Sequence, residues 1–338
     1  MESTPFAEAL LPTRHDAIAP DGSQVRLLVR LPGASMANFE LGPGKVSRPT
    51  QHRTVSEAWY SSRWGDNHQM NHLDHEGYIQ PEADLANVQP EYQGLPDATA
   101  DLLAGEFGSR LHSAYLYGSV VRGNAVPGRS DLDVIAVLLA APADEDRARA
   151  DRVERALVQR FPVLFSAGVG LTHLQEVRSP AQRYSLQVFL RELAVCICGE
   201  DLRPSLPRTK PSAAVAAGFH ADTHAVFARA RETLGTSTDP EVIRRVCRMA
   251  SKRMVQVAFA VVMVREGVWA TVLEEQAAAV GAAFPQWAEA ARSAAEQGRR
   301  PVADAGVVRE LLDSFGRWAE KALDRAVSEA SNVDGRAR

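Results

Sequence analysis

One stretch of the chain holds residues whose types and spacing could do chemistry: Tyr115-Leu-Tyr-Gly-Ser-Val-Val-Arg-Gly-Asn-Ala-Val-Pro-Gly-Arg-Ser-Asp-Leu-Asp-Val134. Gly118 permits a sharp turn at the end of a strand, because it has no Cβ to clash. Ser119 would then open a short helix, whose free N–H groups and dipole suit phosphate oxygens. Further on, Asp131 and Asp133 stand two apart on a strand, so both carboxylates project from one face. Leu132 and Val134 point into the opposite layer. Two carboxylates held together repel each other and desolvate poorly, which makes them a costly way to build a core. A magnesium ion between them and a polyphosphate reverses that balance, since Mg2+ commonly takes one or two carboxylates together with substrate phosphates. Arg122, one helical turn after Ser119, is a further candidate for the phosphates.

These residues need one strand before Gly118 and another to carry the aspartates. His112–Tyr117 reads as the first and Ser130–Leu139 as the second. Its Val134–Leu139 portion is nearly all apolar, as expected for a strand covered on both faces. Residues 97–110 have helical spacing, and Asp144–Arg160 is a charged helix with Asp151 and Arg155 at i, i+4 on a solvated face. A third strand falls at 163–174, so the middle of the chain is α/β. After Pro211 the chain turns helical and Ala-rich. The clearest helix runs over Asp239–Glu266, with Asp239 as N-cap, Pro240 in the first turn and Gly267 at the end. A last helix over Gly306–Ser328 aligns Val308, Leu311, Leu312, Phe315 and Ala319 on one face. Arg245, Arg248 and Lys252 share a helical face; this stripe either faces a triphosphate across an interdomain cleft or is solvated. Residues 1–62 read as β-rich, with strands at Val25–Leu31 and Met36–Leu41, and 63–95 as a polar linker. The division is completed by an α/β domain over 96–208 and a helical domain over 209–338.

Composition narrows the function classes. At 338 residues the chain has room for two domains. A net charge of −4 gives no reason to expect non-specific nucleic-acid binding. The longest apolar run, Met254–Val264, falls well short of the roughly 20 residues that span a bilayer. The start, Met-Glu-Ser-Thr-Pro, lacks a basic segment leading into an apolar run. Cys196, Cys198 and Cys247 make neither a disulfide framework nor a zinc spacing. The expectation is a cytoplasmic protein that engages neither membrane nor nucleic acid.

The pattern of Gly118-Ser119, a gap of about a dozen residues, then Asp131-x-Asp133 resembles the nucleotidyltransferase superfamily that includes DNA polymerase β and the aminoglycoside nucleotidyltransferases. The wording Leu116-Tyr-Gly-Ser119 and Ser130-Asp-Leu-Asp-Val134 is similar to the antibiotic-adenylylating branch and its bacterial relatives. The resemblance runs over about residues 97–325. Cys198-Gly-Glu-Asp-Leu202 looks like the close of the catalytic domain, and Arg248–Trp269 with Leu311–Trp318 looks like the helical domain.

That resemblance implies an α/β (α+β) domain with a mixed sheet, followed by an all-α bundle. It implies a Mg2+-dependent enzyme passing a nucleoside monophosphate from a nucleoside triphosphate, with ATP the first choice. The acceptor would be a hydroxyl of a small molecule such as an aminoglycoside-like antibiotic, and pyrophosphate would leave. A protein or tRNA acceptor, or a nucleotide-binding sensor without turnover, are the alternatives. Gly118 and Ser119 would hold the β- and γ-phosphates, with Arg122, Ser130 and Lys252 completing the nucleotide site. Asp131 and Asp133 would ligate Mg2+. Family members usually carry a third acidic residue on the strand placed here at 163–174. That strand reads Phe165-Ser-Ala-Gly-Val-Gly-Leu-Thr-His173, with Gly170 at the equivalent position and Glu176 past its end. Glu192, on the following helix, is the candidate catalytic base.

Gly44–Tyr60 resembles the first motif of the cupin β-barrels, with His52 and Glu57 at ligand positions and Thr54 where a second His is common. No second motif follows, so a cupin-like fragment without a metal is expected. His68, His72 and His75, with Asp66 and Asp74, have spacing compatible with a metal site on a helix, in surroundings that read as a solvated linker.

Overall fold

A computed structural model describes residues 17–18, 24–25 and 72–336. Ala17–Ile18 pairs antiparallel with Gln24–Val25. The strand at Met36–Leu41, nearly all of that at Val25–Leu31, the cupin-like motif with His52, Thr54 and Glu57, and His68 with Asp66 lie outside the described residues. The chain divides into two compact units, one containing 80–209 and the other containing 72–79 and 210–336.

In the first unit α1 (Leu95–Phe107) precedes four strands: β1 (Leu111–Tyr117), β2 (Asp131–Leu138), β3 (Ser166–His173) and β4 (Ala194–Gly199). α2 (Asp144–Arg160) connects β2 to β3, and α3 (Leu186–Leu193) leads into β4. The sheet order is β3-β2-β1-β4. β1 runs antiparallel to β2 and β4, while β2 is parallel to β3, so the sheet is mixed. Alternation along β2 sends Leu132, Val134, Ala136 and Leu138 into a core with Leu103 and Phe107 of α1 and Ala150, Val153 and Leu157 of α2. Ile135 and Val137 face the other way, against Leu186 and Leu190 of α3. Burying such side chains contributes roughly 1.5–3 kcal/mol each, and that fixes the pairing register.

The charged helix α2 is not simply a solvated face. Arg147, Asp151 and Glu154 turn toward β3 because a peptide group there needs partners. Val169 donates its N–H to Glu154 Oε1 at 2.8 Å, and its carbonyl accepts from Arg147 Nη1 at 2.6 Å. Arg147 also binds Glu154 at 2.6 Å and Asp151 at 2.8 Å. Burial raises the Glu154 carboxyl above its ordinary range, against the pull of Arg147.

Residues 80–94, polar enough to read as linker, pack with this unit: Ala83 and Tyr92 are buried in the same core as Leu116 and Val134. In the second unit, residues 72–79 form a turn rather than a helix. The Asp74 carboxylate accepts the amides of Glu76 and Tyr78 at 2.9 Å each, and Leu73 bridges to Ile79. Helical spacing therefore does not bring His72 and His75 to one face.

The rest of the second unit is helical: α4 (Ala213–His220), α5 (Thr223–Thr236), α6 (Pro240–Glu266), α7 (Leu273–Ala283), α8 (Ala288–Arg299), α9 (Ala305–Leu311) and α10 (Arg317–Arg336). Asp239 caps α6 as expected, accepting from Glu241 and Val242. The last helix is broken by a π-turn at Leu312–Gly316, where Phe315 and Trp318 stack together beside Trp287. Among the described residues no helix is long and apolar enough to cross a membrane.

Glu154→Ala should lower stability by about 3 kcal/mol, because it strands a buried N–H and leaves Arg147 short of a partner. Urea denaturation of the variant checks this, and a loss below about 1 kcal/mol would show the pair to be dispensable.

Candidate functional site

Strand alternation places Asp131 and Asp133 on the face opposite buried Leu132 and Val134, as the sequence predicts. Both aspartates are half-buried and so remain open to a ligand. Register supplies their neighbours. Asp133 lies between Tyr117 on β1 and Gly168 on β3, and Asp131 lies beside Ser166. The Ser166 hydroxyl donates to Asp131 Oδ1 at 2.7 Å and so orients that carboxylate.

At the end of β1, Gly118 turns the chain with φ 83°. A Cβ at this position would stand 2.7 Å from Asp133 Oδ2. Glycine is therefore required twice, for its backbone angle and for the space it leaves. Val120 and Val121 are fully buried and root the turn in the core. Among the described residues, the amides of Ser119, Val120 and Val121 donate to no backbone carbonyl. Of the three residues only Ser119 is partly exposed, so its amide is the one a bound anion could meet.

The helix expected after Ser119 does not form. Arg122 N–H bonds to Gly118 O, Gly123 N–H to Val120 O and Asn124 N–H to Ser119 O, so the spacing changes at each step and no regular ladder propagates. Gly123, in the left-handed region at φ 73°, ends the run. Arg122 is half-buried, and its Nε has no hydrogen-bond partner among the described residues. Ser130 closes the next turn instead of standing open. Its hydroxyl accepts the Val126 amide at 2.8 Å, its N–H donates to Val126 O at 2.9 Å, and its carbonyl accepts from Phe165 at 3.0 Å.

Tyr117 shares the face of the aspartates. Burial, and then the fields of Asp133 and Asp131, push its phenol well above the ordinary range, so it stays a neutral hydrogen-bonding group beside them. Phe189 of α3 meets its ring edge-on, with centroids 4.8 Å apart.

The third acid is missing from the sheet. Opposite Asp131, Asp133 and Ile135, β3 presents Ser166, Gly168 and Gly170. Among the described residues no three His, Cys, Asp or Glu side chains group as a metal site would need. Glu176 accepts from Thr172 at 3.2 Å and from Gln182 at 3.3 Å. Thr172 is six residues along β3 from Ser166, about 20 Å at strand rise, so Glu176 belongs to the far end of the sheet. A cavity of about 530 Å³ lined by Leu139, Leu174, Gln175, Arg178, Ser179 and Pro180 also lies at that far end.

Glu192, at the end of α3, is 1% exposed. Burial pushes its carboxyl up to about 7, opposed by Arg191, the Thr209 backbone, Arg208 and Arg183. Arg191 Nε stands 3.5 Å from Oε1, and Arg183 donates to Thr209 Oγ1 at 2.8 Å. These groups hold Glu192 against the segment at 208–209. Arg245, Arg248 and Lys252 are half-buried on α6 of the second unit, where the Lys252 stem passes Gly298. Sequence reasoning missed Tyr117 and Ser166. The alternation of β1 signals the first, whereas Ser166 emerges only once β2 and β3 are paired.

No protein-family model matches the chain, and no curated protein matches it. Solved structures that match include the spectinomycin adenyltransferase AAD(9) from Enterococcus faecialis with ATP and spectinomycin. It is 14% identical, with 68% of this chain and 97% of that one covered, at a TM-score of 0.39. Another is a toxin-antitoxin with AMP-PNP, 14% identical, covering 40% of this chain and 91% of that one at a TM-score of 0.24.

Gly118→Ala should cost about 1–3 kcal/mol through backbone strain and displace the Asp133 carboxylate, which denaturation and crystallography would record. For Glu192, the folded chain binds the proton more tightly than the unfolded chain between pH 4.5 and about 7, so stability falls as pH rises through that window. Glu192→Gln should therefore melt above the wild type near pH 8, with the gap closing by about pH 4.

Proposed function

We propose that the first unit binds a nucleoside triphosphate with Mg2+ and transfers its nucleoside monophosphate to a hydroxyl of a small acceptor. The observation that carries this reading is one juxtaposition. Two half-buried carboxylates on a single strand face abut a glycine turn whose half-buried Ser119 donates its amide to no backbone carbonyl among the described residues. A strongly hydrated cation with oxygen preference fits two carboxylates and phosphate oxygens, and Asp131 and Asp133 are the residues that would hold it. Bound there, Mg2+ supplies charge neutralisation between the carboxylates and the polyphosphate. The Ser119 amide, with Arg122, would meet the β- and γ-phosphates. ATP is the first nucleotide to test, in line with the resemblance of the motif.

In the reaction, the acceptor oxygen bonds to the α-phosphorus while the bond from that phosphorus to the bridging oxygen breaks. Pyrophosphate leaves with the electron pair, and the hydroxyl proton passes to a base. β3 offers no carboxylate, and Glu192, whose carboxyl is raised by burial, is the base this reading assigns. A second reading, a nucleotide-binding sensor without turnover, is favoured by that same empty face of β3.

Calorimetric titration with ATP tests the reading without knowledge of the acceptor. Binding should require Mg2+ and weaken more than about tenfold in Asp131→Asn/Asp133→Asn. Absence of binding to ATP, GTP, CTP and UTP would remove the nucleotide site altogether. Pyrophosphate release in an acceptor screen separates the enzyme from the sensor.

A further inference from the structure

We infer that the short 3-10 turn at Leu85–Asn87 is a brace that sets the shape of the glycine turn, with Asn87 as its positioning residue. This rests on the reading of the Ser119 amide and Arg122 as phosphate contacts. The turn's own hydrogen bonds, at Arg122, Gly123 and Asn124, follow no common spacing and so build no regular ladder. Further support comes from a segment more than thirty residues earlier in the chain. Val121 O accepts two donors from that segment, the Asp84 N–H at 3.0 Å and Asn87 Nδ2 at 3.4 Å. Asn87 Nδ2 also reaches Glu82 O at 3.2 Å, and the Asp84 carboxylate caps the brace by accepting from Ala86 at 2.9 Å.

Two further observations point the same way. A Cβ on Gly123 would stand 2.8 Å from Asn87 O, so the two backbones interlock where Gly123 adopts its left-handed angle. Beneath them Ala83, Val88 and Tyr92 share an apolar core with Val120, Val121 and Ala125. The brace thus grips Val121 and Gly123, the residues on either side of Arg122. A change at Asn87 should loosen both the Ser119 amide and the placement of that guanidinium, although Asn87 touches neither phosphate nor metal in this reading.

Asn87→Ala removes the donor, and Asn87→Asp sets a carboxylate oxygen against two carbonyls. Asn87 is exposed, so both variants should fold and melt within a few degrees of the wild type. Hydrogen exchange at the amides of Arg122, Gly123 and Asn124 should quicken in both, more in Asn87→Asp, while the amides of β2 keep wild-type rates. The Kd values for Mg·ATP and for Mg·tripolyphosphate should rise together by about fivefold, as expected for one lost hydrogen bond. Unchanged exchange at residues 122–124 in both variants would overturn the brace. So would an unchanged Kd in a wild type that binds, or a loss of protection spread equally over β2. If the wild type binds neither ligand, the proposed function fails instead, and the exchange data alone decide the brace.

Discussion

The carboxylate of Asp133 lies against the α-carbon of Gly118, and the candidate site depends on that closeness. The contact follows from an antiparallel register in which Tyr117 faces Asp133 and Leu116 faces Val134. What enforces the register is apolar. Leu132, Val134, Ala136 and Leu138 fill one side of β2, and a slip of one residue would drive both aspartates into that core. The burial of four ordinary hydrophobic side chains thus holds two mutually repelling charges at the surface of the sheet. Their repulsion is local and is offset by the folding energy of the whole layer.

The turn beside them is held in a similar indirect way. Val120 and Val121 are buried, so the backbone between Gly118 and Gly123 is tethered by its side chains, while the Ser119 amide donates to no backbone carbonyl among the described residues. Polar groups fixed in advance lose little on meeting an anion, which is the general advantage of a preorganised site. Ser166 does the same for Asp131 by one hydroxyl bond from the adjacent strand. On the same face, the edge-on contact of Tyr117 with Phe189 brings α3 against the sheet.

Much of this architecture was legible in the sequence, for physical reasons that differ along the chain. The aspartate strand could be read because period-two alternation is local and the flanking residues are strongly apolar. Asp239 and Pro240 announced α6 because capping chemistry is also local. The shape of the turn after Gly118 was not legible, since its carbonyl at Val121 is bonded by Asn87, 34 residues away. The contribution of Ser166 needed the parallel pairing of β2 with β3, which no window of sequence contains. Residues 80–94 looked like linker because they are mostly polar, yet Ala83 and Tyr92 anchor them in the core. The charges of α2 looked solvated because helical spacing does not say which ion pairs a neighbouring strand will recruit.

That recruitment has a consequence for what can approach the sheet. β3 is a terminal strand, and Val169, near its middle, turns a peptide group outward. Glu154 and Arg147 answer that peptide as another strand would, one accepting and one donating. An extended polypeptide pairing with Val169 would first have to displace Glu154 and Arg147 from its peptide group. At Val169 the edge beside the aspartate strand is therefore guarded against strand addition, while the half-buried carboxylates stay open on the face of the sheet.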